Sequence, residues 1–246
     1  MGNNTLVLIL AAGKGTRLKS NLPKPLVEVA GIPMIHRILN VFQTFPDIDV
    51  SIVVGHRFGE IMKAIEGNVH YIYQHEQRGT AHAVKQAASN IKKYNKVIIM
   101  TADSALITRS VIIKLLNSHH KSGADCSFLS SEFPFYLPYA RVIRKDGSVI
   151  SCIEERDADE NQRKIKELFT SHYLLNTEPL LKYIHHIKVN PVSREYYLTD
   201  IVNIMIQDCC KVNAVKIRNY HSLIGINTVD ELKFAEKWIN TEVVSN

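Results

Sequence analysis

The sequence predicts an α/β fold with a Rossmann-like, mostly parallel central sheet flanked by helices. Two observations carry this expectation. Short apolar runs alternate with stretches of helical periodicity through the first half of the chain, and such alternation builds a parallel sheet covered on both faces. The first run, Leu6-Val-Leu-Ile-Leu10, feeds directly into a glycine-bearing basic loop, Gly13-Lys-Gly15-Thr-Arg17. Ligands of such sheets sit beyond the carboxyl ends of the strands, where this loop must lie.

Strands are expected at 5–11, 50–54, 69–73 and Lys96–Thr101, each a short run of β-branched or large apolar residues. Between them, Met34, Ile35, Ile38, Leu39 and Phe42 recur at helical spacing, as do Ala83, Val84, Ala87, Ala88 and Ile91. The second half changes character. Asp146-Gly147 between 141–144 and 148–154 is a hairpin signal. The charged stretch 154–167 reads as a loop or short exposed helix, 170–175 as a strand, and 179–186, 199–207 and 229–239 as helices. No long linker and no internal repeat interrupts the chain, so residues 1–246 are expected to form one domain.

Composition narrows the function classes. Hydrophobic residues make up 46% of the 246 positions, which supports a substantial core and argues against disorder. A net charge of +6 favours an anionic ligand, but no basic stripe of the kind that binds nucleic acid is present. No apolar run is long enough to span a membrane. Cys126, Cys152, Cys209 and Cys210 form no C-x-x-C pair and read as reduced, mostly buried thiols of a cytoplasmic protein. His119-His120 and His185-His186 lack metal-site spacing and are expected on the surface.

The loop after the first strand suits a phosphate. Gly13 and Gly15 allow close backbone approach and φ > 0, successive N–H groups line an anion site, and Arg17 and Lys24 add full charge. The spacing is not that of a P-loop. It is not G-x-G-x-x-G either, because Leu18 stands three residues past Gly15.

Five segments in order resemble one family. They are Leu10-Ala-Ala-Gly-Lys-Gly-Thr-Arg17 with Leu22-Pro-Lys24; Gln74-His-Glu-Gln77-Arg-Gly79-Thr80-Ala-His-Ala83; Ile153-Glu154-Glu-Arg-Asp-Ala158; Glu195-Tyr-Tyr197-Leu-Thr199-Asp200; and Gly225-Ile-Asn227. The chain is similar to sugar-1-phosphate nucleotidyltransferases over nearly its whole length. The nearest likeness is to the uridylyltransferase domain of bacterial bifunctional N-acetylglucosamine-1-phosphate uridylyltransferases. The resemblance implies the nucleotide-diphospho-sugar transferase fold, with a nucleotide-binding half at about 1–110, a sugar-binding half at about 111–246, and no C-terminal β-helix acetyltransferase domain. It implies transfer of a nucleotidyl group, uridylyl from UTP, to a sugar 1-phosphate, with small-molecule substrates and Mg2+ as cofactor.

The resemblance also implies roles. Arg17 and Lys24 match the catalytic basic residues. Leu10, Ala11, Ala12, Gly13, Gly15, Gln74, Gln77, Gly79 and Thr80 match the nucleotide site. Thr101, Ala140, Glu154, Phe169, Tyr197 and Thr199 fall at the sugar site. Asp103 and Asn227 match the metal ligands; read without the family, Asp103 is more commonly a helix N-cap or loop aspartate and Asn227 an N-cap for the helix after it. His82 matches a structural position.

Departures from the family cluster at the sugar end. Its Tyr-Gly-Asp reads Thr101-Ala102-Asp103, a pocket glycine reads Ala140, and Asn-Thr-Gly reads Phe169-Thr170-Ser171. Phe169 cannot hydrogen-bond where an asparagine would, so the acceptor stays open between N-acetylglucosamine 1-phosphate, another hexose 1-phosphate and a different phosphorylated alcohol. Three further readings share these residues: a nucleotidyltransferase using another base, a glycosyltransferase, and a nucleotide-binding regulatory protein. Against the glycosyltransferase, no Asp-x-Asp ends the strand at Lys96–Thr101.

Overall fold

The computed structural model describes residues 4–67 and 69–244. Residues 1–3, 68, 245 and 246 of the expected domain lie outside the described residues. The chain runs β1 (Thr5–Leu10), a small hairpin of β2 (Glu28–Val29) and β3 (Ile32–Pro33), α1 (Met34–Phe42), β4 (Ile48–Val54), α2 (Phe58–Ala64), β5 (His70–Tyr73), α3 (Thr80–Gln86), α4 (Ala88–Ile91) and β6 (Lys96–Thr101). It continues with α5 (Arg109–Ser122), β7 (Cys126–Glu132), β8 (Arg141–Lys145), β9 (Ser148–Ile153), α6 (Glu160–Arg163), β10 (Glu167–Asn176), α7 (Thr177–Tyr183), α8 (Asp200–Gln207), β11 (Val212–Lys216) and α9 (Val229–Val244).

Nine strands form one mixed sheet in the order β11-β7-β10-β6-β1-β4-β5, with β8 and β9 as a hairpin beside β10. β1 pairs in parallel with both β4 and β6, β4 with β5, and β11 with β7. β10 enters antiparallel between β6 and β7. Strand alternation divides the core. Val7 and Ile9 face one cluster, filled from α1 by Met34, Ile35 and Ile38 and from α5 by Ile112 and Leu115. Leu6 and Leu8 face the other, filled from α3 by Ala81 and Val84 and from α8 by Ile201, Val202 and Met205. Burial on both faces is why β1 reads as an unbroken apolar run.

The register brings the functional loops together. Leu10 lies beside Thr101 and Val53, and Val54 beside Tyr73. The loops after β1, β5 and β6 therefore leave one edge of the sheet. Because β10 runs the opposite way, its first half reaches that same edge: Tyr173 pairs with Ile99, and Phe169 and Ser171 lie beyond it. A register shift between Phe169 and Tyr173 coincides with Ser171 at φ 58°.

Six elements had no counterpart in the sequence reading: β2, β3, α2, α5, β7 and β11. The stretch 154–167 holds a single 3-10 turn, Glu155–Asp157, and α6, whose N-terminus is closed by an Asp159–Gln162 capping box. His119 departs from its expected surface place. It is 2% exposed, with Nδ1 2.8 Å from Ser127 Oγ and Nε2 3.2 Å from Asn176 Oδ1. Cys126 and Cys152 are buried, Cys210 is partly buried and Cys209 is exposed. Among the described residues no helix is long and apolar enough to cross a membrane.

Candidate active site

The loop after β1 is held from below. Ala11 N–H donates to Val53 O at 2.8 Å and His56 N–H to Ala12 O at 3.2 Å. Gly15 takes φ 64°, and a Cβ there would overlap the Lys24 side chain. Glycine is thus required for both conformation and contact. Gly13 departs from its expected left-handed conformation and has open space around it. After Gly15, a 3-10 turn at Thr16–Leu18 buries Leu18 and turns Arg17 toward the cavity. A second turn at Lys24–Leu26, entered through Pro23 and anchored by buried Pro25, presents Lys24.

Lys24, Asp103 and Asn227 form a clasp. Lys24 Nζ donates to Asp103 Oδ2 at 2.5 Å and to Asn227 Oδ1 at 2.7 Å, and Arg17 Nη2 donates to Asn227 Oδ1 at 3.1 Å. Thr101 Oγ1 donates to the other carboxylate oxygen, Asp103 Oδ1, at 2.5 Å. Asn227 Nδ2 donates to Gly225 O at 3.1 Å, which turns the amide oxygen toward the cations. Helix capping falls to its neighbour: Thr228 Oγ1 accepts from Glu231 N, while Glu231 Oε2 accepts from the N–H groups of Asn227 and Thr228. Asn227 is therefore free to face the site. Burial pushes the Asp103 carboxyl up, but the Lys24 ammonium and the Thr101 hydroxyl outweigh it and hold the group below its ordinary value.

These two oxygens fit a hard divalent cation. A carboxylate and an amide oxygen are the donor types magnesium takes, with phosphate and water completing its shell. Both already converge within 2.7 Å of one cationic nitrogen. Among the described residues no group of three or more His, Cys, Asp or Glu could hold a metal.

Two cavities meet at the clasp. The larger, about 680 Å³, is lined by Leu10, Ala11, Ala12, Gly13, Gly15, Gln74, Gln77, Gly79 and Thr80, with Arg17 and Lys24. The smaller, about 200 Å³, is lined by Thr101, Ala140, Glu154, Phe169 and Thr199. Arg17, Thr101, Asp103 and Asn227 line both. Tyr197, expected at the sugar, lines the larger cavity.

Residues 7–175 match the family model described as the MobA-like NTP transferase domain. The chain belongs to this family. It is 36% identical over 233 residues to the bifunctional protein GlmU of Thermoanaerobacter pseudethanolicus, covering 94% of this chain and 51% of that protein. It is 34% identical over 234 residues to GlmU of Streptococcus mutans, covering 94% and 50%. The chain thus spans about half the length of the curated relatives it matches. A solved UDP-glucose pyrophosphorylase complexed with UDP-glucose superposes with a TM-score of 0.78 at 14% identity, covering 97% of this chain and 99% of that one. At that identity the likeness establishes the fold alone, the nucleotide-diphospho-sugar transferase type.

Within this family fold, several side chains depart from a simple contact role. The Thr101 hydroxyl is committed to Asp103. Thr80 Oγ1 accepts from Leu198 N at 2.9 Å, so it ties α3 to the 195–199 segment instead of capping its own helix. Gly79, at φ 101°, packs so closely under that segment that a Cβ would lie 2.5 Å from Tyr196 O. The Phe169 ring is 2% exposed, with its centroid 4.6 Å from that of Phe128 and 4.9 Å from that of Tyr173. It forms floor to the smaller cavity and belongs to the core, as does Ala140. Glu154 keeps its carboxyl there, its acidity weakened chiefly by burial and further by Asp200 and Asp157, against a hydrogen bond from Thr199.

His172 is the site neighbour that sequence reasoning missed. It is 1% exposed, its Nε2 has no hydrogen-bond partner among the described residues, and Asp103 is near enough to act on its charge. A polar residue at an inward position of β10, directly after the altered Phe169-Thr170-Ser171, was the available signal.

Proposed function

We propose that this protein transfers a nucleotidyl group, uridylyl from UTP, to a sugar 1-phosphate, releasing a nucleoside diphosphate sugar and pyrophosphate. One observation carries the reading: a clasp of two cations and two oxygen donors stands where a large and a small cavity meet. The larger cavity has the residues for a nucleoside triphosphate and the smaller one room for a phosphorylated acceptor. Family membership and the GlmU likeness support the same chemistry.

An acceptor phosphate oxygen forms a bond to the α-phosphorus as the bond from that phosphorus to the β-phosphate oxygen breaks. The acceptor is already an anion near neutral pH, so no general base is required. What the chain must supply is alignment and charge neutralisation. Arg17 grips phosphate oxygens through paired N–H groups, and Lys24 meets the charge that accumulates on the leaving pyrophosphate. Asp103 and Asn227 would hold Mg2+, which supplies further charge neutralisation when bound. Thr101 keeps the Asp103 carboxylate oriented. Gln74 and Gln77 read the base, while Glu154 and Thr199 face the acceptor.

The reading takes 1–246 as one domain that acts on small molecules in the cytoplasm, without nucleic-acid or membrane partners. N-acetylglucosamine 1-phosphate is the parent acceptor, with another hexose 1-phosphate or a different phosphorylated alcohol as the alternatives. The test is pyrophosphate release with magnesium, each nucleoside triphosphate and a panel of sugar 1-phosphates and phosphorylated alcohols. Release with UTP and one sugar 1-phosphate is expected. Binding of UTP without release across the panel would overturn the catalytic reading.

A further inference from the structure

The amide of Gln74 is locked by its neighbours, and the lock determines which atom it can offer. Gln74 is 3% exposed. Its Nε2 donates to Gly79 O at 3.3 Å and lies 2.9 Å from His82 Nδ1. A carbonyl oxygen only accepts, so the nitrogen end of the amide must face Gly79. The second N–H then needs a lone pair, which His82 Nδ1 has only if the imidazole is neutral with its hydrogen on Nε2. That Nε2 lies 3.2 Å from Gln86 Nε2, two nitrogens that cannot both donate, so the Gln86 amide is assigned the other way round, with its oxygen accepting from His82. Gln77 Nε2 donates to Gln74 O, which fixes the backbone beneath.

The consequence falls on Gln74 Oε1. No side-chain or backbone donor is paired with it among the described residues, and Gln74 lines the larger cavity. The geometry points to His82 as a positioning residue for base selection: through the relay Gln86–His82–Gln74 it holds an acceptor oxygen, never an amino group, toward the base. This rests on the larger cavity being a nucleotide site. An acceptor there suits an imide N–H, as in uracil or thymine. It opposes the ring nitrogen lone pair of cytosine, and a buried mismatch of two acceptors is strongly unfavourable. Without His82 the lock keeps only the long bond to Gly79, and the amide can turn over to accommodate either edge.

The test is equilibrium binding of UTP and of CTP, with magnesium and no acceptor, to wild type and to His82→Ala, His82→Asn and Gln86→Ala. His82 is half-buried on α3, where alanine is a good helix former, and circular dichroism checks the fold. Wild type should prefer UTP. In His82→Ala the preference should fall about ten-fold, the worth of one hydrogen bond in an enclosed site. His82→Asn places an oxygen near the former Nδ1 and should restore most of the preference. Gln86→Ala should lower it by less than His82→Ala. An undiminished preference in His82→Ala would overturn the relay alone. Failure of any triphosphate to bind wild type would overturn the nucleotide reading, and the relay with it.

Discussion

On the proposed reading Lys24 and a divalent cation compete for the same two oxygens, and this yields a prediction of opposite sign for two properties of one variant. The Lys24 ammonium lies 2.5 Å from Asp103 Oδ2 and 2.7 Å from Asn227 Oδ1, and the two charged side chains are only 16% and 13% exposed. Lys24→Ala leaves the Asp103 carboxylate enclosed with Thr101 as its close donor. Removing one partner of a largely buried ion pair costs about 3 kcal/mol. For a chain of 246 residues that is a fall in Tm of roughly 6–12 °C. Magnesium, however, no longer has to displace the ammonium. One charge-assisted bond spared is at least about 1.4 kcal/mol, a ten-fold gain in metal affinity. At saturating metal this adds about 3–6 °C to the magnesium-induced rise in Tm.

The assay is thermal unfolding of wild type and Lys24→Ala over a magnesium titration without nucleotide, with a chelator blank. The variant should start lower, climb further, and show little pyrophosphate release. A magnesium shift in the variant equal to or below that of wild type would refute the competition. It would also separate Asp103 and Asn227 from the metal.

Two further outcomes follow from local geometry. Gly15→Ala forces a left-handed residue to carry a Cβ against Lys24, which costs about 1–2 kcal/mol in backbone strain and displaces the ammonium. Turnover should drop by about ten-fold or more, while binding of a nucleoside alone, read by calorimetry, stays near wild type; equal turnover would remove the contact from the mechanism. Burial pulls the His172 imidazole down to about 4 from 6.5, against the opposite pulls of Asp103 and Thr170. Its native value lies below its unfolded one, so its contribution is full above 6.5 and is lost as pH falls toward 4, by up to about 1.4 kcal/mol per pH unit in that window. Urea midpoints at pH 7 and pH 5 should therefore differ more in wild type than in His172→Leu, and equal differences would contradict the buried neutral imidazole.

Local pattern disclosed what local physics determines. The β1 run, the Asp146-Gly147 turn and the helical periodicity of α1 and α8 each rest on neighbours a few residues away. β7 escaped because three of its seven residues are serines, Ser127, Ser130 and Ser131, all buried. Their hydroxyls are satisfied by His119, Glu167 and the Ile217 carbonyl. Polar residues read as exposed until their partners are known, and these partners are distant in sequence. His119 was misplaced on the surface for the same reason. The direction of β10 also has no local signature, yet it alone carries Phe169 and Ser171 to the site.

The site divides along the same line. Family likeness assigned roles to Arg17, Lys24, Asp103 and Asn227 one at a time. Lys24 stands 79 positions from Asp103 and 203 from Asn227, and nothing in a list of roles says that the residue matched to a catalytic cation should lie in the grip of the two matched to metal ligands. Likewise Phe169 reads as an asparagine lost from a pocket, whereas in the fold its ring joins Phe128 and Tyr173 in the core. A group sealed at 2% exposure can reshape a floor but cannot bond a substrate edge-on. On the proposed reading, with the acceptor in the smaller cavity, polar discrimination falls to side chains such as Glu154, whose acidity is weakened chiefly by burial and which also takes a hydrogen bond from Thr199.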